Sequence, residues 1–359
     1  MKKTIPTEKL SLAACILCCP DCEVGLSSTL TCTSCGRSLA PQEDGIISAL
    51  PRAMEGSSQS KDELQRLIAA APGERAETIV LYEKAFHDEQ AQYYDKLFTD
   101  PLPLGKYYER LIRLHVHSYI SQQPFVVDLC CGTGKSSLPL IERGLFVVGM
   151  DVSREMLRSY SRRCAARDYD NFMLIQADAT HPPLRNECCG AIIVIGGLHH
   201  IQKRMECLAH WCNSLNWDGL LILHEPLKTG RTSRLTMLLE NLYALADFKR
   251  LSKAIRRRLG LRQKTNMRAL KELAVPPFTP FERPFTSPEE LVALMPREME
   301  TIVLRSQGLL SFQEFPPRLS GTTGVALALL IVALDDWLSK NEHPNWSGDA
   351  IFAVCKKSS

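Results

Sequence analysis

The chain has 359 residues, 45% of them hydrophobic, and a formal net charge of +3. That length suits one large domain with appendages or two domains, and the apolar fraction is enough for a real core. Met1-Lys2-Lys3 followed by Leu12-Ala13-Ala14-Cys15 imitates a lipoprotein leader, but Pro6, Glu8 and Lys9 interrupt the apolar stretch, so no signal peptide is expected. The longest apolar run, 324–334, falls short of the roughly 20 residues that span a bilayer. Cytoplasm is the expected location, and there the 14 cysteines read as metal ligands before disulfides.

The first element in chain order is a pair of C-x-x-C turns, Cys19-Pro-Asp-Cys22 and Cys32-Thr-Ser-Cys35, the second followed by Gly36. Two such turns place four thiolates tetrahedrally around a structural zinc. Cys15 and Cys18 stand nearby as competing ligands. A unit this small, over residues 10–51, buries little core, so metal binding should supply its folding energy. Residues 52–75 read as a linker carrying a short helix with Leu64, Leu67 and Ile68. A helical pattern starts at Glu77 and carries His87 and Tyr93-Tyr94. There His87 is expected to pack or face water.

The centre of the chain is the stretch from Phe125 to Leu157. An apolar run closes on Asp128, Gly132-Thr133-Gly134 turns, and a helix with Leu138, Leu140 and Ile141 follows. A second apolar run, Leu145 to Met150, ends in Asp151. Strand, glycine turn, helix, strand, acid is half of a doubly wound α/β nucleotide-binding fold. Glycines let the backbone pass close under a ligand, and Asp151 stands where a carboxylate accepts ribose hydroxyls. A P-loop needs glycine at the position of Leu129, and a G-x-G-x-x-G turn needs it at Cys130 or Ser137; neither fits.

The D-x-x-x-G-x-G form resembles the first motif of class I S-adenosylmethionine (SAM) methyltransferases. That family usually has glycine where Cys130 stands. The relatives that methylate quinones also read D-L-C-C-G-T-G, as residues 128–134 do here. The resemblance covers about residues 76–225 and the last strand. It implies a Rossmann-like doubly wound sheet and SAM as cofactor. It also implies cofactor contacts from Asp128, Cys130, Gly132, Thr133, Gly134, Asp151, Val152, Met156, Asp178, Ala179 and Gly196. Asp178 matches the acid that holds the adenine amino group. The Q-A-x-x-Y-D helix around Tyr94 is similar to helices that lie across the pocket in small-molecule methyltransferases. The N-terminal cysteine unit is similar to zinc-ribbon-like domains that precede some methyltransferases.

Beyond the glycine turn, Phe172 to Ile175 and Gly190 to Ile195 read as buried parallel strands, the second ending in Gly196-Gly197-Leu198-His199-His200. A histidine at that strand end, His199 or His200, is placed to take a proton from an acceptor. A helix over 205–215 and a Trp217-Asp218-Gly219 turn lead to a strand over 220–224, closed by Glu225, which binds substrate or caps the strand. Residues 227–272 carry a net charge of +10 on an amphipathic leucine pattern. The resemblance implies that the segment 227–284, a basic helical cap, roofs the substrate pocket; its charge alone suits a solvated face, an anionic substrate, a membrane surface or RNA. Ser287 and Pro288 start a helix, and 301–304 and 350–355 are strands. A second insertion, 316–342, holds an apolar helix over 325–338 that packs on the cap, walls a lipophilic pocket or is buried in a homodimer.

The expectation is therefore a methyltransferase domain over 76–359 that aligns a nucleophile with the electrophilic methyl of SAM and excludes water. The acceptor is expected to be a small, partly apolar molecule, because the insertions are rich in leucine and the strand-four exit lacks an N-P-P-Y or D-P-P-Y loop for a nucleobase amine. Two other readings stand beside it. One is an rRNA-type guanine methyltransferase that uses the ribbon and basic cap on RNA. The other is a SAM-binding scaffold without activity.

Overall fold

The computed structural model describes residues 6–57, 59–70, 75–97, 111–228, 279–307, 333–334, 337 and 350–358. Most of the basic cap and nearly all of the apolar insertion lie outside these residues, and with them the roof, membrane, RNA and homodimer expectations. Among the described residues no helix is long and apolar enough to cross a membrane.

Among the described residues, one eight-stranded sheet organises the fold. Its strands are β1 (Ile47–Ser48), β2 (Phe125–Leu129), β3 (Phe146–Asp151), β4 (Phe172–Gln176), β5 (Cys189–Ile195), β6 (Leu215–Pro226), β7 (Met299–Gln307) and β8 (Ala350–Lys357). They lie in the order β1-β4-β3-β2-β5-β6-β8-β7, and only β8 runs antiparallel to its neighbours. β2 to β5 carry Val, Ile, Leu and Met on both faces, the composition of parallel strands covered by helices on each side. Strand order reverses between β2 and β5, and doubly wound sheets bind ligands at the carboxyl ends of such neighbours. This is the Rossmann-like architecture that the glycine turn implies.

Helices α1 (Thr7–Ile16), α2 (Lys61–Ala70), α3 (Arg75–Leu97), α4 (His117–Ile120), α5 (Leu138–Ile141), α6 (Arg154–Ala165), α7 (Arg204–Ser214) and α8 (Pro288–Ala293) accompany the sheet. α6 starts where Ser153 accepts the Met156 N–H, and α8 where Ser287 accepts that of Glu290. The strand expected over 220–224 is longer. It begins at Leu215, opposite Cys189, and bulges through Asn216 to Gly219 before Leu220 meets Ala191. The expected turn is that bulge, with Asp218 at φ +64°.

Residues 6–50 are built into this architecture. Ile47 and Ser48 pair with Ile175 and Gln176, so β1 extends the main sheet at the β4 edge. Ala13, Ile16, Leu17, Leu30 and Leu39 are buried in the same apolar cluster as Val127, Val148 and Ile175. Ion pairs add to the join: Asp44 accepts from Arg154 (2.6 Å) and Arg158 (3.0 Å) on α6. In the 52–75 segment, Leu64 and Ile68 of α2 pack against Ile79, Tyr82 and Phe86 of α3, whereas Leu67 is exposed.

Candidate active site

The turn after β2 is shaped by what lies beneath it. Asp128 is fully buried, and its Oδ2 accepts the hydroxyls of Ser136 (3.0 Å) and Ser137. Its Oδ1 has no hydrogen-bond partner among the described residues. Burial pushes its carboxyl up to about 7. Gly134, at φ +80°, approaches the Tyr160 ring so closely that a Cβ would stand 2.6 Å from it. Thr133 is buried and accepts from Arg163 through its hydroxyl, at 3.0 Å. Asp128, Thr133 and Gly134 thus hold the turn together, and none of them lines the cavity.

Gly132, at φ +52°, does line it, and a Cβ there would meet nothing within 4 Å. Cys130 also has φ +56°, a left-handed conformation that favours glycine, the residue usual at this position in the family it resembles. The carboxylate of Asp151 accepts the N–H groups of Gly132 (2.8 Å) and Ser153 (2.8 Å), which fixes it at the cavity wall. Burial raises its pKa, against the lowering effect of His87 and the two N–H groups. Asp178 is turned by Thr180, whose N–H and hydroxyl bind its two oxygens at 2.8 and 2.7 Å. The Ala179 carbonyl is anchored by the Trp211 indole at 2.8 Å.

These strand ends enclose a cavity of about 400 Å³. Cys130, Gly132, Asp151, Val152, Met156, Asp178, Ala179 and Gly196 all lie on its wall. The open space over Gly132, beside a fixed buried carboxylate at Asp151, fits the ribose end of SAM. Helix α3 crosses the other side, and Asp88 fixes it there by accepting from Ser153 Oγ (2.7 Å) and the Glu155 N–H. Its Ile79, Val80, Glu83, His87 and Tyr94 complete the wall. Pro20, Glu23, Pro51, Ala53 and Met54 contribute from the N-terminal unit.

His199 and His200 occupy different places. His200 lines the cavity, and its Nδ1 lies 3.2 Å from Glu83 Oε2. Burial lowers its pKa, followed by the neighbouring His199, and Glu83 opposes them. His199 lies behind the wall, its Nδ1 2.9 Å from Glu225. The fully buried Glu225 also accepts the N–H groups of Gly197, Leu198 and His199 at 2.8–3.1 Å. It clamps the loop after β5 and does not line the cavity.

His87, expected to pack or face water, stands on the cavity wall beside Glu83, one helical turn away. Glu83, 5% exposed, was not singled out from the sequence. Burial would raise its pKa, but hydrogen bonds to His200 and His87 hold it down to about 2. The signal that finds it is the i, i+4 spacing of an acid and a histidine on a helix that crosses a pocket.

At the other end of the N-terminal unit the four cysteines converge. Cys19 and Cys35 sulfurs lie 3.7 Å apart, those of Cys22 and Cys32 3.4 Å, and all four within 4.8 Å of one another. The N–H of Cys35, aided by that of Ser34 and opposed by burial, brings the Cys32 thiol down to about 6. Cys18 points to the Leu184 carbonyl, and Cys15 is exposed outside the cluster.

The sheet order and the glycine turn at its switch point define the Rossmann-like fold of class I methyltransferases. Residues 126–219 match the family model described as "Methyltransferase domain". The demethylmenaquinone methyltransferase of Streptomyces avermitilis is 32% identical over 140 residues, covering 38% of this chain and 57% of that protein. The ubiquinone/menaquinone biosynthesis C-methyltransferase UbiE of Campylobacter jejuni is 26% identical over 117 residues, 31% of this chain and 48% of that protein. The chain therefore spans about half the length of these relatives. Among solved structures, a Haemonchus contortus phosphoethanolamine N-methyltransferase holding S-adenosylhomocysteine aligns over 78% of this chain and 59% of its own, at 11% identity and a TM-score of 0.44.

Proposed function

We propose that the protein is a SAM-dependent methyltransferase acting on a small, partly apolar acceptor. The observation that carries this reading is one cavity wall that joins two unlike groups of residues. One group is Gly132, Asp151 and Asp178; the other is Glu83 and His87 of α3, with His200. Asp151 would hold the ribose, Asp178 and Ala179 the adenine, and Gly132 and Gly196 the backbone approach to the cofactor. When bound, SAM supplies an electrophilic methyl group on a sulfonium. The chain contributes alignment and a dry wall, through Ile79, Val80, Met54 and Met156. An acceptor that must lose a proton meets the Glu83–His87–His200 cluster, with His199 as a strut behind it. The two quinone-methylating relatives favour an acceptor of quinone-like size and polarity.

We also propose that Cys19, Cys22, Cys32 and Cys35 hold one structural zinc, in an N-terminal unit over 10–51 joined to a methyltransferase domain over 76–359. Sulfurs about 2.3 Å from a tetrahedral zinc lie roughly 3.8 Å apart, close to the separations here.

The test is incubation of the protein with methyl-labelled SAM and cell extract, followed by separation into lipid, small-molecule and RNA fractions. Label in the lipid or small-molecule fraction is expected. Label in RNA, or none in any fraction while SAM binds, would overturn the reading. In calorimetry, Asp151→Ala should weaken SAM binding by roughly 1.5–3 kcal/mol.

A further inference from the structure

Three side chains on the cavity wall converge at separations that suit a shared metal ion as well as hydrogen bonds. Glu83 Oε2 lies 3.2 Å from His200 Nδ1 and 3.4 Å from His87 Nε2. Charge-assisted hydrogen bonds between such groups are shorter, about 2.7–2.9 Å. A first-row metal about 2.1 Å from each of its ligands, by contrast, holds neighbouring ligand atoms roughly 3.0–3.4 Å apart. All three atoms lie within 4.8 Å of one another. We propose that Glu83, His87 and His200 form a binding site for a divalent first-row transition metal ion, separate from the four-cysteine cluster.

The surroundings of each ligand support this. Glu83 Oε1 accepts the hydroxyl of the buried Thr279 at 2.6 Å, so only Oε2 is turned to both imidazoles. That is the arrangement of a monodentate carboxylate with its second oxygen held. His87 Nδ1 lies 3.3 Å from Gln90 Oε1, and Gln90 is 1% exposed. A ring N–H donated to that amide oxygen leaves a lone pair on Nε2, the atom that faces Glu83. Metal-binding histidines are oriented in this way by a partner on the second nitrogen. Glu83 and His87 are one turn apart on α3, and His200 reaches them from the loop after β5. Two rigid elements thus set the spacing. All three residues line the cavity.

The donor set selects the class of ion. Two imidazoles and one carboxylate suit zinc, iron, cobalt or manganese in the divalent state, whereas magnesium and calcium take oxygen. The inference deepens the reading of this group of residues as the place where an acceptor ionises, because a metal lowers the pKa of an oxygen bound to it. Metal binding itself does not depend on methyl transfer.

The experiment is equilibrium dialysis of the full-length protein against low-micromolar zinc, with metal content measured for wild type, Glu83→Gln and His87→Ala. The expected result is one equivalent fewer in each variant than in wild type, whatever the four cysteines hold. Thermal unfolding identifies any variant that fails to fold, and either folded variant decides. Cobalt loading gives a second readout. The His/Glu site adds weak visible bands without thiolate charge transfer, and these should vanish in both variants. Equal metal content in wild type and folded variants, with identical cobalt spectra, would overturn the proposal and leave a hydrogen-bonded carboxylate–imidazole cluster.

Discussion

At the scale of single residues, the glycine turn divides into positions that line the cavity and positions that hold the turn. Gly134 belongs to the second group. Alanine there must adopt φ +80° and push into the Tyr160 ring. Gly134→Ala should cost about 2–4 kcal/mol of stability, measured by urea unfolding, with the loss appearing even without cofactor. Asp128 makes a different prediction. Its folded pKa, about 7, lies above the ordinary 3.8, so the native state holds this proton more tightly than the unfolded chain. Its contribution is therefore greatest below pH 4 and is lost as pH rises through about 7. The loss is on the order of a few kcal/mol, and the nearby Asp151 acts with the same sign. Asp128→Asn should flatten the stability profile between pH 4 and 7. A variant profile parallel to that of wild type would show that Asp128 ionises freely in the fold. The motif at this turn was legible from residue type. Which of its members touch the cavity was not, because that depends on Tyr160 and Ser137 packing beneath it.

At the scale of elements, the strands from Phe125 to Ile195 follow their apolar runs to within a residue or two. Burial on both faces leaves no alternation to misread. The less legible elements are those whose role is set by distant partners. α3 reads as a helical pattern from Glu77, but its Glu83 and His87 matter only because His200, more than a hundred residues later, comes to meet them. β1 is two residues long and carries no periodic signal, yet it completes the sheet edge. The clasp between that edge and α6 is Asp44, held low in pKa by Arg154 and Arg158 against the cost of burial. Asp44→Ala should cost about 1 kcal/mol and speed hydrogen exchange at Ile46 to Ala49, with the central strands unchanged. Unaltered exchange at those amides would mean that apolar packing alone holds the edge.

At the scale of the whole molecule, the N-terminal unit and the sheet share a core and a cavity. From the sequence, the cysteine unit reads as a zinc-ribbon-like unit over residues 10–51. In the structure Asp21, between Cys19 and Cys22, accepts from Arg37 at 2.6 Å. Arg37 in turn holds the Leu50 carbonyl and Glu55, which bracket the cavity-lining residues Pro51, Ala53 and Met54. Metal loss at the cysteines should therefore be felt at the cavity wall. Replacing Cys32 and Cys35 with serine should weaken SAM binding several-fold in calorimetry while the central sheet stays folded. Wild-type affinity in a zinc-free double variant would show that the cysteine unit does not shape the cavity.

The two-residue strand β1 also has a consequence for how the protein is made on the ribosome. Ile47 is synthesised before its partner Ile175, which follows 128 positions later. At roughly 5–20 residues per second, the gap is about 6–25 s. During that interval the residues around Ile47 have no sheet edge to join. A chain that loses β1 would leave the β4 edge unpaired, an open template for pairing with other newborn chains.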